Sequence, residues 1–278
     1  MIVAGCDVGS LTAKAVILDN RSILSHAVIR ARMKPNESAQ EVMEIALSKA
    51  GIPMNNIGFC VGTGYGRERI PFVNKSISEI TCHAKGAAYL MPRVRTVIDI
   101  GGQDCKAIRL DEKGNIVKFF TNDKCAAGTG RFLDVMCGLL KIDLEDLGKM
   151  NDRAEDPLTL ASTCTVWAQA EVIHHLNEKR PIPDICAAIN QAMAGRVAIL
   201  ARSVGITKEV CMTGGVAKNT GVVSCLERLL DVKIRRLSID PQIVGALGAA
   251  VFARQHCEKN SGVFSVPKGG VSYDSRRV

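Results

Sequence analysis

The hydrophobic and polar positions of the chain fall into two similar series. Residues 6–20 read CDVGSLTAKAVILDN and residues 98–112 read IDIGGQDCKAIRLDE, and they align at a constant offset without a gap. Each series is an apolar run, a glycine turn, a second apolar run and a polar turn before a third run, which predicts an antiparallel β-meander. Runs with helical spacing follow, at residues 37–50 and 78–91 and then at 130–141 and 164–177. The pattern predicts a duplicated β-β-β-α-β-α unit of the α/β class.

Two halves of this kind are expected to bury their sheets under helices and to enclose a cleft. We predict a first half over residues 1–92 and a second half over residues 93–241, with the boundary near Pro92. A helix over residues 242–257 is expected to pack back on the first half. Residues 258–278 contain Ser-Gly, Pro-Lys-Gly-Gly and Arg-Arg and are typical of a loose basic tail.

The composition indicates a globular protein that binds anions. Of the 278 residues, 47% are hydrophobic, 23% charged and only 4% aromatic, and the formal net charge is +8. Scarce aromatic residues and the lack of a long basic run argue against nucleic acid as a partner. No apolar stretch approaches the roughly 18 residues of a membrane span, and the first residues lack the pattern of a signal peptide. We therefore expect a cytoplasmic protein without a membrane partner.

Three glycine elements indicate a phosphate-binding cleft. They lie at residues 7–12, 99–104 and 212–217, the last at a predicted strand-to-helix junction. Backbone amides unobstructed by side chains can cradle phosphate oxygens, and Lys14 can add a point charge. Asp7, Asp99 and Asp104 can hold Mg²⁺ directly or through water. The alternative is that the glycines only form tight hairpins; neither a P-loop nor a Rossmann motif is present.

Two of the eleven cysteines stand apart from the others. Cys125 and Cys164 each precede or begin a predicted helix, where the N-terminus stabilises a thiolate and hence a metal site. Neither belongs to a C-x-x-C pair, and one chain offers two such thiolates where a cubane iron–sulfur cluster needs four. A twofold homodimer would supply four. Buried or redox-sensing thiols are the alternative.

Most other cysteines are expected to be buried and inert because they lie in β-branched runs or predicted helices. Cys82 has polar neighbours, and its role stays open. A lone tryptophan, Trp167, follows Cys164 and is expected to pack in the interior, with shielding of a cluster as the alternative. His174 and His175 are expected on a solvated helix face rather than in a zinc site.

The duplicated meander with two Asp-x-Gly turns and a late Gly-Gly element resembles the superfamily of acetate kinase, sugar kinases, Hsp70 and actin, which is ribonuclease H-like. Further motifs resemble the ATP-dependent activators of 2-hydroxyacyl-CoA dehydratases, the BadF/BadG/BcrA/BcrD-type ATPases. The likeness runs from about residue 2 to residue 253, and Lys218 stands where that family often has glutamine. The matching motifs are TGYGR at 63–67, SEITCHA at 78–84, DIGGQD at 99–104, NDKCAAGTGRF at 122–132 and STCTV at 162–166.

The resemblance implies ATP-driven transfer of low-potential electrons. It implies one [4Fe-4S] cluster per homodimer, bound through Cys125 and Cys164 of both subunits, together with ATP or ADP and Mg²⁺. The implied donor is a ferredoxin or flavodoxin, and the acceptor is an iron–sulfur enzyme such as a 2-hydroxyacyl-CoA dehydratase or a benzoyl-CoA-type reductase. Two alternatives stay open: a small-molecule kinase with Asp99 or Asp104 as base and structural cysteines, and a nucleotide-sensing module in the manner of Hsp70.

The motifs and the resemblance together predict a set of site residues. For catalysis we predict Asp7, Asp99, Gln103 and Asp104. For nucleotide binding we predict Gly9, Ser10, Leu11, Thr12, Ala13, Lys14, Gly101, Gly102, Gly128, Thr129, Gly130, Gly214, Gly215, Val216, Lys218 and Gln242.

Overall fold

Strands and helices alternate in two units that repeat the same plan. A computed structural model describes residues 1–122, 125–161 and 164–261. The first unit comprises β1 (Ile2–Val8), β2 (Thr12–Asp19), β3 (Ser22–Arg30), α1 (Pro35–Ala50), β4 (Phe59–Thr63), β5 (Lys75–Ser76) and α2 (Glu79–Leu90). The second comprises β6 (Thr96–Ile100), β7 (Cys105–Leu110), β8 (Ile116–Asn122), α3 (Gly130–Leu140), α4 (Leu144–Asn151), α5 (Thr165–Asn177), α6 (Ile182–Val204), β9 (Val210–Thr213), α7 (Thr220–Leu230), β10 (Ile234–Arg235) and α8 (Val244–Ser261).

The two sheets have the same strand order and register. The orders are β3-β2-β1-β4-β5 and β8-β7-β6-β9-β10, with antiparallel meanders and parallel outer pairs. Asp7 pairs with Lys14 in the first sheet as Asp99 pairs with Lys106 in the second. Irregularities in register fall at equivalent positions, after Ile17 and after Arg109. The duplicated α/β fold is therefore confirmed, with one short edge strand per sheet, β5 and β10, beyond the predicted unit.

Turn and cap residues set where the first helices begin and end. Pro35 occupies the first position of α1, where its missing N–H would have no partner inside the helix. Gly51 ends α1 with φ 67°, a left-handed conformation that glycine adopts without strain. Ser78 caps α2, and its hydroxyl accepts a hydrogen bond from the Thr81 amide at 3.3 Å.

Helices cover both faces of each sheet. On one face of the first sheet, Ala15 and Ile17 pack against Val42 and Met43 of α1. On its other face β1 and β4 pack against α8. Helix α2 lies between α8 and the second sheet, and the outer face of that sheet packs against α6. The predicted tail at 258–278 begins too early, because α8 continues to Ser261; residues 262–278 lie outside the described residues.

The contact between α2 and α8 depends on glycine. A Cβ atom on Gly248 would overlap the Cys82 carbonyl group and would lie 2.9 Å from the Gly86 backbone nitrogen. Gly86 faces the Val244 carbonyl in the same way. The two helices therefore touch through their backbones, and α8 in turn lies directly on β1. Among the described helices, none is long and apolar enough to cross a lipid bilayer.

Replacing this glycine tests the packing. Gly248→Ala should lower the free energy of unfolding by about 1–3 kcal/mol, because the added methyl group meets backbone atoms that cannot move independently. The matched control is Gly195→Ala in α6, where nothing lies within 4 Å of the added Cβ. It should raise the stability by about 0.5–1 kcal/mol, since glycine weakens a helix interior. Urea denaturation measures both. Equal effects would show that α2 and α8 do not touch as described.

Candidate active site and cysteine surface

A cleft of about 990 Å³ lies between the two sheets and collects most of the predicted site residues. Its size is at the upper end of the range typical of small-molecule sites. Four acidic or amide side chains predicted for catalysis line it, namely Asp7, Asp99, Gln103 and Asp104. Predicted nucleotide-binding residues also line it: Gly9, Ser10, Leu11, Thr12, Lys14, Gly101, Gly102, Gly130, Gly214, Gly215, Val216, Lys218 and Gln242.

Three predicted nucleotide-binding residues do not line the cleft. Ala13 is fully buried and packs in the core beneath the first sheet. Side chains alternate along a strand, so Thr12 and Lys14 face the cleft while Ala13 faces away. Thr129 is fully buried, and its hydroxyl donates to the Ala126 carbonyl at 2.6 Å. Gly128 has φ 84° and lies against Arg196. Direct side-chain contact was therefore wrong for Ala13, and Gly128 and Thr129 shape the turn before α3.

The two glycine turns have the same geometry and touch each other. The Gly9 amide donates to the Thr12 carbonyl at 3.0 Å, and the Gly101 amide donates to the Asp104 carbonyl at 2.9 Å. A Cβ atom on Gly102 would lie 2.5 Å from the Leu11 side chain. The turns therefore form the facing walls of one cleft, as the duplication predicts.

Asp99 is the most firmly held carboxylate of the cleft. It is buried, and the Thr213 hydroxyl donates to its Oδ1 at 2.7 Å. His83 Nδ1 lies 3.2 Å from the same oxygen, and Lys106 Nζ lies 3.5 Å from Oδ2. Burial opposes ionisation of Asp99, but the charges of His83 and Lys106 and the Thr213 hydrogen bond outweigh it and lower its pKa. Asp99 is therefore a carboxylate at neutral pH.

Lys106 was not predicted as a site residue, yet it is the central cation of the cleft. Its Nζ lies 2.6 Å from Asp104 Oδ2, 3.3 Å from Glu79 Oε1 and 3.5 Å from Asp99 Oδ2. Burial alone would lower its pKa, but these three carboxylates raise the pKa above its ordinary value. The alignment of Lys106 with Lys14 in the repeat was the signal that could have identified it.

Acidic groups outnumber basic ones around this centre. Burial raises the pKa of Glu79, and Lys106 opposes that shift. Lys14 Nζ lies 3.4 Å from Asp7 Oδ2. The floor of the cleft thus brings together four carboxyl groups and two lysines, namely Asp7, Glu79, Asp99, Asp104, Lys14 and Lys106.

Lys218, where the resembling family often has glutamine, connects two turns at the rim of the cleft. Its Nζ donates to Asp240 Oδ2 and to Gln242 Oε1, both at 2.6 Å. Lys218 ends the 3₁₀ turn Gly215–Lys218, and Gln242 lies in the 3₁₀ turn Pro241–Ile243. The two residues therefore act as one hydrogen-bonded unit rather than as separate contacts.

The accessible cysteines are those that the sequence singled out. Cys164 is exposed and Cys125 is partly exposed; Cys257 is also partly exposed, and the other eight are buried. Burial raises the pKa of five thiols to about 12, those of Cys60, Cys82, Cys105, Cys186 and Cys211. These thiols stay protonated and unreactive at neutral pH. Within residues 1–122, 125–161 and 164–261, no group of three or more Cys, His, Asp or Glu residues forms a metal site by itself.

Apolar side chains surround the start of α5, which Cys164 caps. Val166 and Trp167 are each 68% exposed, and Ile173 is 45% exposed. Interior packing of Trp167 was therefore the wrong expectation. His174 is exposed and pairs with Glu178 at 3.2 Å, as expected for a solvated helix face. The motif neighbours of the two cysteines, at positions 123–124 and 162–163, lie outside the described residues.

Hydrogen bonds connect the second glycine turn to the Cys125 loop. The amides of Gly130 and Arg131, at the start of α3, donate to the carbonyls of Gly101 and Gly102, each at 2.8 Å. From the end of β8, the Asn122 side-chain amide donates to the Cys125 carbonyl at 3.2 Å and to the Ala127 carbonyl at 3.0 Å. Asn122 itself pairs with Cys105, the residue after Asp104. Both ends of the loop are thus attached to the phosphate-type turn.

Known proteins with the same arrangement identify the family. Residues 4–253 match the BadF/BadG/BcrA/BcrD ATPase family. The chain is 44% identical over 260 residues to an activator of lactoyl-CoA dehydratase from Anaerotignum propionicum, a match that covers 93% of this chain and all of that one.

Two solved structures resemble the chain to different degrees. One is the activator of 2-hydroxyisocaproyl-CoA dehydratase from Clostridium difficile with bound ADPNP, with a TM-score of 0.92, 39% identity, and coverage of 98% of this chain and 100% of that one. The other, a ROK family glucokinase from Streptomyces griseus, has a TM-score of 0.54 and 13% identity over 92% of this chain and 100% of that one, and shares the fold alone. With its cleft, its repeated turns and these matches, the chain belongs to the BadF/BadG/BcrA/BcrD ATPase family.

Proposed function

We propose that this ATPase uses ATP hydrolysis in the cleft to drive single electrons through a [4Fe-4S] cluster shared by two copies of the chain. The observation that carries the proposal is the hydrogen-bonded connection between the second glycine turn and the loop that bears Cys125. Hydrolysis converts ATP and water to ADP and phosphate, and one electron passes from a reduced donor to an oxidised acceptor.

The cleft would hold the nucleotide with its phosphates toward the two glycine turns. The relative from Clostridium difficile was solved with bound ADPNP, which supports a nucleotide in this fold. Four carboxyl groups face two lysines, so a bare polyphosphate would meet an excess of negative charge. Mg²⁺ prefers oxygen ligands and commonly bridges carboxylates and phosphates. Asp7, Asp99 and Asp104 would therefore hold Mg²⁺ directly or through water.

Cys125 and Cys164 would hold the cluster. They are thiols, the correct ligands for a cubane, and both are accessible from the surface. One chain supplies two of the four ligands, so a twofold homodimer would complete the set. The exposed side chains of Val166 and Trp167 beside Cys164 fit a surface that a second copy covers. When bound, the cluster would accept and release one electron at a time.

The connection through α3 would couple the two sites. The amides of Gly130 and Arg131 follow the Gly101 and Gly102 carbonyls, so a shift of this turn on loss of the γ-phosphate would reposition the Cys125 loop. The reduction potential of an iron–sulfur cluster depends on hydrogen bonds, net charge and exposure around its sulfur atoms. The nucleotide could thereby make an electron transferable to an acceptor of low potential.

The partners follow from the chemistry and from the relatives. A ferredoxin or flavodoxin would donate the electron, and the acceptor would be an iron–sulfur enzyme. Relatives with 44% and 42% identity are an activator of lactoyl-CoA dehydratase and an activator of 2-hydroxyisocaproyl-CoA dehydratase, which favours a 2-hydroxyacyl-CoA dehydratase. A relative with 32% identity, one of the subunits of a benzoyl-CoA reductase from Thauera aromatica, keeps a reductase as the second choice. Accessible cluster thiolates favour the reducing cytoplasm.

Substitution of the two cysteines tests the cluster. The anaerobically purified protein should be a brown dimer with about four irons per two chains. Cys125→Ser or Cys164→Ser should abolish the colour and the electron transfer while ADP affinity changes by less than about threefold, because neither residue lines the cleft. Cys257→Ser, at the other partly exposed cysteine, is the control and should keep its iron. A Cys125→Ser variant that retains its iron, or a colourless native protein that phosphorylates a sugar or carboxylate, would contradict the proposal.

Removal of the divalent cation tests the charge of the cleft. ADPNP should bind at least about tenfold more weakly in EDTA than in Mg²⁺, because one neutralising ion is worth more than roughly 1.4 kcal/mol among these carboxylates. Calorimetric titration measures both constants. Equal affinities would mean that the carboxyl groups do not face the phosphates.

A further inference from the structure

His83 lies at the place where the two halves of the cleft meet. It comes from α2, in the first unit, and its side chain reaches the second sheet. The residue is only 6% exposed, and it lines the cleft. Its Nδ1 lies 3.0 Å from Thr213 Oγ1 and 3.2 Å from Asp99 Oδ1. The sequence motif that contains His83 assigns it no role.

The hydrogen bonds determine which ring nitrogen carries the proton. The Thr213 hydroxyl has a single proton and donates it to Asp99 Oδ1 at 2.7 Å. Its oxygen can therefore only accept from His83, so Nδ1 carries a proton and donates to the Thr213 hydroxyl. Histidine, threonine and aspartate form one chain of hydrogen bonds, in which each group orients the next.

The opposite edge of the ring faces the other half. A Cβ atom on Gly245 of α8 would lie 2.8 Å from His83 Nε2 and 2.8 Å from Asp7 Oδ2. The absence of a side chain at Gly245 leaves room for both groups. His83 therefore lies between Asp7 and Asp99, the two aspartates related by the duplication.

The duplication provides an internal comparison for Asp99. Thr63 and Gly64 follow β4 as Thr213 and Gly214 follow β9, and the two glycines have φ 88° and 83°. Thr63 Oγ1 is buried but makes no hydrogen bond, whereas Thr213 Oγ1 orients Asp99. The histidine from α2 thus creates an asymmetry that the repeated sequence by itself does not contain.

We propose that His83 is a positioning residue for ATP hydrolysis, which fixes the Asp99 carboxylate through Thr213 and leaves Asp7 as the adjustable carboxylate. This inference rests on the proposed position of the nucleotide in the cleft. It predicts an effect on turnover rather than on nucleotide affinity, because His83 orients a group that acts on the phosphates. A histidine that only fills space would affect stability alone.

Steady-state ATP hydrolysis by the anaerobic, iron-loaded dimer tests this role. His83→Ala should lower kcat by about 10- to 100-fold with KM for ATP changed less than threefold, since loss of positioning slows the chemical step. His83→Asn should recover kcat to within about fivefold of the native value, because its amide N–H can occupy the position of Nδ1. Thr213→Val should match His83→Ala, and the double variant should be no worse than either single variant.

Thr63→Val is the matched control from the duplication. It removes a hydroxyl that makes no hydrogen bond, and kcat should stay within about twofold of the native value. A native kcat in His83→Ala, a loss confined to KM, or equal losses in Thr63→Val and Thr213→Val would each overturn the inference. If His83→Ala does not fold, His83→Asn and Thr213→Val decide it. Iron content reports separately on the cluster, so failure of either proposal leaves the other readable.

Discussion

The carbonyl groups of Gly101 and Gly102 are the point on which the function of the molecule depends. They accept the first two amides of α3, groups that every helix must otherwise satisfy with a cap or with water. The same turn is closed by the bond from the Gly101 amide to Asp104, and Asp104 pairs with the buried Lys106. The turn therefore cannot move without moving the start of α3. The constraint joins a site for phosphate to a surface for metal.

Duplication builds the cleft, and departures from the duplication give it direction. Both turns, both aspartates and both lysines recur at the same register. The helices that connect the halves do not recur in this way. Helix α2 brings Glu79 to Lys106 and His83 to Asp99, while α8 contacts β1 and makes room for His83 at Gly245. Because α2 and α8 touch through their backbones, the two aspartates are connected through a stiff layer rather than through a loose hinge.

The sequence was informative where a motif repeats or where a residue type has few roles. The repeat predicted the strands, the facing turns and most residues of the cleft, and helix starts singled out Cys125 and Cys164. It could not reveal Lys106 or His83 as site residues, because their roles come from contacts between segments far apart in the chain. His83 meets Thr213, which lies in the other unit.

Other misses have local physical causes. Ala13 faces the core because neighbouring residues on a strand point to opposite faces. The strands β5 and β10 have two residues each, too few to give a periodic pattern. Trp167 was expected inside because an isolated chain has no other place for a large aromatic group, but it lies on the surface beside Cys164. An exposed tryptophan next to a candidate ligand is itself consistent with an interface.

The most direct test of the coupling is the reduction potential of the anaerobic, iron-loaded dimer, measured by electron paramagnetic resonance with ADP and then with ADPNP. We expect the potential and the shape of the signal to differ between the two nucleotides, because the turn that meets the phosphates also holds the start of α3. The same potential and the same signal in both states would contradict the coupling.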